Sequence, residues 1–352
     1  MDQIKGEDKN ECINNGSSDL NDEEDVIIKV EDLKVTFFTP AGQVKAVNGI
    51  SYELKRGEVL GIVGESGSGK SVAVNALMRL TPHPGRVVGG KMYFKGRDIM
   101  KMSKKEIRSI RGKDISMIFQ DPMTSLNPVL RIGYQIMEAL TLHTDMTKEQ
   151  VREHAIEMLR MVGINNPDQR LVQYPHEFSG GMRQRVMIAM SLACSPEVLI
   201  ADEPTTALDV TIQAQIMDII KELRTKTNSA IILITHDMGL VSDVCDNVIV
   251  MYGGRIVEKG VIDDIFYRPA HPYTIGLIRC LPRLDDDEKK PLVPIEGQPV
   301  DMIEIPDGCA FHERCPNCLE NCANEMPPIV EVSPSHFSAC WLCAKEKEAE
   351  TK

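Results

Sequence analysis

The stretch Val59-Leu60-Gly61-Ile62-Val63-Gly64-Glu65-Ser66-Gly67-Ser68-Gly69-Lys70-Ser71 decides the fold. Its first five residues form a short apolar run ending in glycine, which reads as a buried strand. Residues 71–80 then carry helical spacing. Between strand and helix, Gly64-Glu65-Ser66-Gly67-Ser68-Gly69-Lys70-Ser71 fits a phosphate-cradling loop. The glycines let backbone N–H groups converge on phosphate oxygens, and the helix N-terminus adds its positive dipole end. Lys70 is placed to reach the outer phosphates, and the Ser71 hydroxyl to ligate Mg²⁺.

Outward from this loop, strand-like and helix-like runs alternate. Residues 26–30, 33–38, 44–54, 87–94 and 115–119 read as strands. Residues 132–142, 148–161 and 181–193 read as helices. Residues 198–201, 230–235 and 248–251 are β-rich again, with a helical stretch at 210–224 between the first two. This alternation predicts an α/β core with a parallel sheet. Residues 122–191 are mainly helical and read as a subdomain inserted in that core. Val198-Leu199-Ile200-Ala201-Asp202-Glu203 is a buried strand ending in two acids. Downstream of a phosphate loop, Asp202 is placed to hold Mg²⁺ and Glu203 to orient and polarise an attacking water. Beyond Tyr267 prolines become frequent and periodicity fades, so a boundary falls near Arg268.

The chain has 352 residues, 42% of them apolar, and a formal net charge of −12. That is material for one large domain and something smaller. The negative charge argues against a nucleic-acid binder, which needs basic surface. No apolar run is long enough to cross a bilayer. Residues 1–25 are acidic and polar, unlike a secretory or mitochondrial leader, and read as a disordered tail. The expectation is a cytoplasmic protein that meets a membrane through a partner. Six of ten cysteines (Cys309, Cys315, Cys318, Cys322, Cys340, Cys343) crowd the last fifth of the chain. In a cytosolic setting such crowding favours metal over disulfide.

Glu177-Phe178-Ser179-Gly180-Gly181-Met182-Arg183-Gln184-Arg185 sharpens the reading. It resembles the signature motif of ABC ATPases, and it precedes the Asp202–Glu203 strand as in that family. Ser179 and the N–H groups of Gly180 and Gly181 open a helix, and the resemblance implies that they meet the γ-phosphate of an ATP held by a facing subunit. Phe178 stands where the family has Leu, and Met182 where it has Gln, so one side-chain amide is lost. By the same resemblance, Phe119-Gln120 is the Q-loop, with Gln120 contacting Mg²⁺. Ala207-Leu208-Asp209 is the D-loop. Thr235-His236-Asp237 is the switch loop, with His236 on the γ-phosphate and the attacking water. Phe37 takes the place of the aromatic that stacks on adenine. The likeness runs from about residue 26 to 268 and implies a P-loop NTPase of the ABC cassette type, binding ATP and Mg²⁺.

Three strings resemble the dipeptide/oligopeptide importers within that family. They are Gln120-Asp121-Pro122-Met123-Thr124-Ser125-Leu126-Asn127-Pro128, the signature read through Met190, and Arg268-Pro269-Ala270-His271-Pro272-Tyr273-Thr274. Nickel and some oligosaccharide importers share them. The resemblance implies a second ATPase subunit, or a second copy of this chain, as dimer partner. It also implies two transmembrane permease subunits and, indirectly, an extracytoplasmic peptide-binding protein, with this chain peripheral on the inner face of the membrane. A non-transport ABC ATPase is the rival, but no long coiled-coil insert, second cassette or basic surface is visible. Residues 269–352 then form a small cysteine-rich domain of the subfamily's C-terminal type. Cys309, Cys315, Cys322 and Cys340 map onto four cysteines that hold a [4Fe–4S] cluster in some members. Cys318 and Cys343 create two Cys-x-x-Cys pairs, and for these Zn²⁺ is the alternative.

Overall fold

The computed structural model describes residues 25–205, 210–281 and 294–350. The disordered tail expected over residues 1–25 falls almost wholly outside them, as do Ala207, Leu208 and Asp209.

Chain order begins with two long strands, β1 (Val26–Thr39) and β2 (Gly42–Lys55), paired antiparallel. β3 (Val59–Val63) leads through the glycine loop into α1 (Lys70–Leu77). β4 (Gly85–Phe94) and β5 (Arg97–Asp98) complete a four-stranded sheet in the order β2-β1-β4-β5. The runs read separately as 26–30 and 33–38 are one strand. They meet at a bulge where Asp32 takes φ 47° and the register with both neighbours shifts. A single bulged residue breaks the period-2 pattern, so one strand reads as two.

After α2 (Lys104–Ile110) and β6 (Ile115–Ile118), the chain is helical until β7 (Val198–Asp202). The helices are α3 (Pro122–Ser125), α4 (Ile132–His143), α5 (Lys148–Met161), α6 (Pro167–Arg170) and α7 (Gly180–Leu192). α5 starts at a capping box in which the Thr147 hydroxyl accepts from Gln150 N–H and the Gln150 side chain accepts from Thr147 N–H. Its buried residues, Val151, Ala155, Ile156 and Leu159, recur at helical spacing and form one apolar stripe.

The remaining elements are α8 (Val210–Thr227), β8 (Ala230–Ile234), α9 (Met238–Val244), β9 (Asn247–Tyr252), β10 (Arg255–Val261), α10 (Ile262–Tyr267), α11 (Pro272–Arg279), β11 (Ile329–Ser333), β12 (His336–Ala339) and α12 (Trp341–Glu350). The main sheet has eight strands in the order β11-β12-β10-β9-β3-β8-β7-β6. β9, β3, β8, β7 and β6 are mutually parallel, and β10, β12 and β11 join antiparallel. β3, β7 and β8 are buried at every position, as strands covered on both faces must be. Alternate residues feed different cores. Leu199, Ala201, Ile231, Leu233, Val248 and Val250 face the helices. Val198, Ile200, Ile232, Ile234, Ile249 and Met251 face α1 and the four-stranded sheet.

Although periodicity fades after Tyr267, the C-terminal region adds β12 and β11 to the edge of the main sheet, through Glu258↔Ser338 and Lys259↔Phe337. These strands are five and four residues long and lie among prolines, too short for a pattern to show. One buried carboxylate fastens the join. Glu258 accepts from Ala270 N–H (2.8 Å), His271 N–H (2.8 Å) and His336 Nε2 (2.7 Å). Replacing Glu258 with Leu strands all three donors. It should cost about 3–5 kcal/mol and let limited proteolysis cut the C-terminal region away before the cassette core. Equal protease resistance in variant and parent would contradict this.

Candidate functional site

Four parallel strands, β3, β6, β7 and β8, deliver the predicted residues at their C-terminal ends, where open α/β sheets place their sites. The loop after β3 is held tight by its neighbours. A Cβ on Gly64 (φ 149°) would lie 2.2 Å from the Met251 carbonyl oxygen, and one on Gly69 (φ 100°) 2.2 Å from that of Ala46. Only glycine fits at either point.

Lys70 is buried and bent back over the loop, donating to the carbonyls of Gly64 (2.7 Å) and Glu65 (2.9 Å). Burial lowers its pKa, and Glu203, Asp202 and Glu65 work against that shift. Ser71 Oγ donates to Asp202 Oδ1 at 2.9 Å. Burial raises the Asp202 pKa, and the Ser71 hydrogen bond opposes the rise. Glu203 follows at once. Gln120 Nε2 donates to its Oε2 at 2.9 Å, and His236 Nδ1 lies 3.4 Å from its Oε1. Lys70, Ser71, Asp202, Glu203, Gln120 and His236 thus form one connected group.

Glu203 sits at φ 46° with its N–H donated to the Ile234 carbonyl (2.9 Å). A non-glycine residue in this left-handed region is strained, and such strain collects at functional positions.

Ser179, Gly180 and Gly181 stand elsewhere. Ser179 Oγ caps α7 by accepting from Met182 N–H at 3.3 Å, and a Cβ on Gly180 would meet open space. Among the described residues no hydrogen bond joins the three to the phosphate loop of the same chain. Phe178 is buried in the core and Met182 packs against it. The link from α7 to the acids is Gln184, buried, whose Nε2 donates to the Pro204 carbonyl at 2.6 Å. Sequence reasoning passed over it, because a lone glutamine on a helix carries no signal.

Phe37 is the other departure. Its ring is half-buried and packs against the core, so close to Gly85 that a Cβ there would lie 2.7 Å from it. The neighbouring Phe38 is the exposed ring, with the Arg86 guanidinium 5.8 Å from its centroid.

Two residues from beyond the cassette reach the phosphate loop. Tyr273 Oη accepts from Glu65 N–H at 2.7 Å, and Arg314 forms a two-pronged ion pair with the Glu65 carboxylate. Neither was foreseen, since 208 and 249 positions separate them from Glu65.

Farther along, Cys309, Cys315, Cys322 and Cys340 line one small cavity with His271 and Trp341. Burial pushes the Cys309 thiol up to about 12 and Cys315 to about 11. Cys340 is pulled down by its hydrogen bond with Cys343. Cys318 and Cys343 lie outside the cavity. Cys318 is exposed, and Cys343 donates to the Ala270 carbonyl (3.6 Å). His271 Nδ1 accepts from Tyr273 N–H (3.0 Å), which puts the ring proton on Nε2, and that atom is buried with no partner among the described residues. No three His, Cys, Asp or Glu side chains among the described residues converge as a single ion's ligands.

Comparison with known proteins fits this geometry. Residues 47–206 match the family described as ABC transporter, and residues 257–322 the one described as oligopeptide/dipeptide transporter, C-terminal region. The chain is 52% identical to the oligopeptide transport ATP-binding protein OppD of Salmonella typhimurium, over 91% of this chain and 95% of that one. It is also 52% identical to the dipeptide transport ATP-binding protein DppD of Bacillus subtilis, over 90% and 94%. A dimeric ATP-binding cassette solved in a post-hydrolysis state with ADP and phosphate superposes with a TM-score of 0.61 at 26% identity, covering 67% of this chain and 99% of that one. The chain belongs to the ABC transporter ATP-binding proteins, in the oligopeptide/dipeptide transporter family.

The strain at Glu203 yields a test. Glu203→Gly relaxes the left-handed backbone and removes a carboxylate next to Asp202. It should raise stability by about 1 kcal/mol while abolishing ATP turnover. A lower thermal midpoint would contradict the strain.

Proposed function

We propose that the chain is the ATP-hydrolysing motor subunit of a peptide importer. The observation that carries this is the connected group Lys70–Ser71–Asp202–Glu203–Gln120–His236 at the strand ends. The relatives named for oligopeptide and dipeptide transport supply the substrate class.

In this reading Lys70 leaves the carbonyls of Gly64 and Glu65 and turns to the outer phosphates. The loop from Gly64 through Ser66, Gly67, Ser68 and Gly69 presents its N–H groups to the same oxygens. Ser71, Asp202 and Gln120 hold Mg²⁺, whose charge offsets that of the transferring phosphoryl group. Glu203 orients the water and takes its proton, fixed from one side by Gln120 and from the other by His236. Phe38, rather than Phe37, offers the face for adenine. Ser179, Gly180 and Gly181 serve the ATP of the facing subunit, which is why they stand apart from their own phosphate loop. Asp209 belongs to the same interface. The facing subunit is a related ATPase or a second copy.

The helices between β6 and β7, read as an inserted subdomain over 122–191, follow directly on Gln120. They are placed to pass closure of the dimer to two transmembrane permease subunits. No helix among the described residues is long and apolar enough to cross a membrane. The subunit sits on the inner face and meets the bilayer through those partners. A peptide-binding protein outside the membrane completes the system.

Four cysteines on the walls of one cavity, Cys309, Cys315, Cys322 and Cys340, are the donor set of a [4Fe–4S] cluster. Zinc wants four ligands on one centre at about 2.3 Å, whereas a cluster offers four separate irons around which thiolates stand. The cavity supplies four such thiols, one from each of the four cysteines. The orphan Nε2–H of His271 on the same wall suits a group bearing sulfide acceptors. When bound, the cluster supplies a covalent tie for a region with little apolar core.

Glu203→Gln should cut turnover at least about 100-fold and accumulate an ATP-loaded dimer visible by size-exclusion chromatography. Normal turnover would overturn the assignment. Protein purified without oxygen should be brown and carry iron and sulfide at about four each. Cys322→Ser should lose both, and one zinc per chain in place of iron would refute the cluster.

A further inference from the structure

Glu65 is the second residue of the phosphate loop, between Gly64 and Ser66. A carboxylate there acts against the loop's purpose. It repels the polyanion that Lys70 and the loop amides are arranged to attract, even though it also helps keep Lys70 protonated against the burial that lowers its pKa.

The C-terminal region answers that charge. Arg314 donates from Nη1 to Glu65 Oε2 at 2.6 Å and from Nη2 to Oε1 at 3.0 Å. Such bidentate pairing is the strong form of a charge-assisted bond. The Arg314 side chain is only 5% exposed, against 27% for Glu65. It is fixed before any ligand arrives. Nε donates to the Glu296 carbonyl (2.9 Å), Nη2 also to that of Ile295 (3.2 Å), and Nη1 also to Tyr252 Oη (3.3 Å). The rings of Tyr252 and Phe311 lie 5.8 and 5.9 Å from the guanidinium carbon. Tyr273 adds a hold on the backbone by accepting the Glu65 N–H. Every prong of Arg314 is committed to a fixed acceptor, so the carboxylate it grips is fixed too.

We propose that Arg314 is a positioning residue for nucleotide binding: it neutralises Glu65 and holds that carboxylate off the triphosphate, so that the C-terminal region sets the affinity of the phosphate loop for ATP. This rests on reading the loop as the ATP site. A clamp that merely fastened the C-terminal region to the cassette would predict loss of stability when broken, with nucleotide affinity unchanged.

The test is titration of the full chain with fluorescent ATP and ADP analogues in the presence of Mg²⁺. If the parent chain binds neither, the ATP site itself is wrong. If it binds them, Arg314→Met should weaken ATP roughly tenfold, the effect of exposing one unit charge in a partly shielded site, and ADP by less. Arg314→Lys keeps the charge but loses the two-pronged grip, and should fall between the parent and Arg314→Met. Adding Glu65→Gln to Arg314→Met removes the carboxylate that needs masking, and should restore ATP binding to within about threefold. Unchanged ATP affinity in a folded Arg314→Met protein would overturn the proposal, as would failure of Glu65→Gln to rescue it. If Arg314→Met does not fold, Glu65→Gln alone decides. Binding as tight as the parent's or tighter supports charge masking, and a loss beyond about threefold overturns it.

Discussion

The parallel pairing of β3 with β8 and of β8 with β7 is the constraint on which the rest of the site depends. Ser71 and Asp202 are 131 residues apart. They meet because Leu60, Ile232 and Ile200 stand in register across the three strands. That register is set by apolar residues alternating between two cores, so a one-residue slip would send every one of them to the wrong layer. The same register puts Glu203 N–H against the Ile234 carbonyl and leaves His236 two residues beyond it. Catalytic geometry here follows from hydrophobic packing several residues away.

The charges at the strand ends are kept in tension rather than at rest. Lys70 is buried among three carboxylates and spends its donors on carbonyls of its own loop. Asp202 is buried beside Glu203, with one hydroxyl to hold its charge. Glu203 is strained in backbone and shared between Gln120 and His236. None of these arrangements would be chosen for stability alone. On the proposed function two of them have a ready exchange on ligand binding, carbonyl for phosphate at Lys70 and hydroxyl proton for metal at Ser71. The two-pronged pair between Glu65 and Arg314 is of the opposite kind, saturated before any ligand arrives.

Much of this was legible from residue order. The phosphate loop, the strand ending in Asp202-Glu203 and the alternation of elements follow from local composition, because glycine, lysine and β-branched runs each carry a backbone consequence. The four cysteines singled out by resemblance, Cys309, Cys315, Cys322 and Cys340, all line one cavity, and Cys318 and Cys343 are not among its lining. What stayed hidden depends on the third dimension. Phe37 and Phe38 are neighbours of identical type on one strand, and a bulge at Asp32 shifts the register before them, so counting cannot tell which ring faces out. Gln184, Tyr273 and Arg314 act through contacts with residues distant in the sequence, and such contacts leave no periodicity behind. The edge strands β11 and β12 are too brief to declare themselves and exist because β10 offers them an edge.

The wall of the thiol cavity includes Trp341, whose indole N–H is donated to the Glu325 carbonyl at 3.1 Å. It is the only tryptophan in 352 residues. Intrinsic fluorescence, usually an average over a molecule, is here a local gauge. Whatever enters or leaves the space between the four cysteines changes the surroundings of the one indole, and light at the red edge of its absorption, which tyrosine does not take up, reads that change without the rest of the cassette.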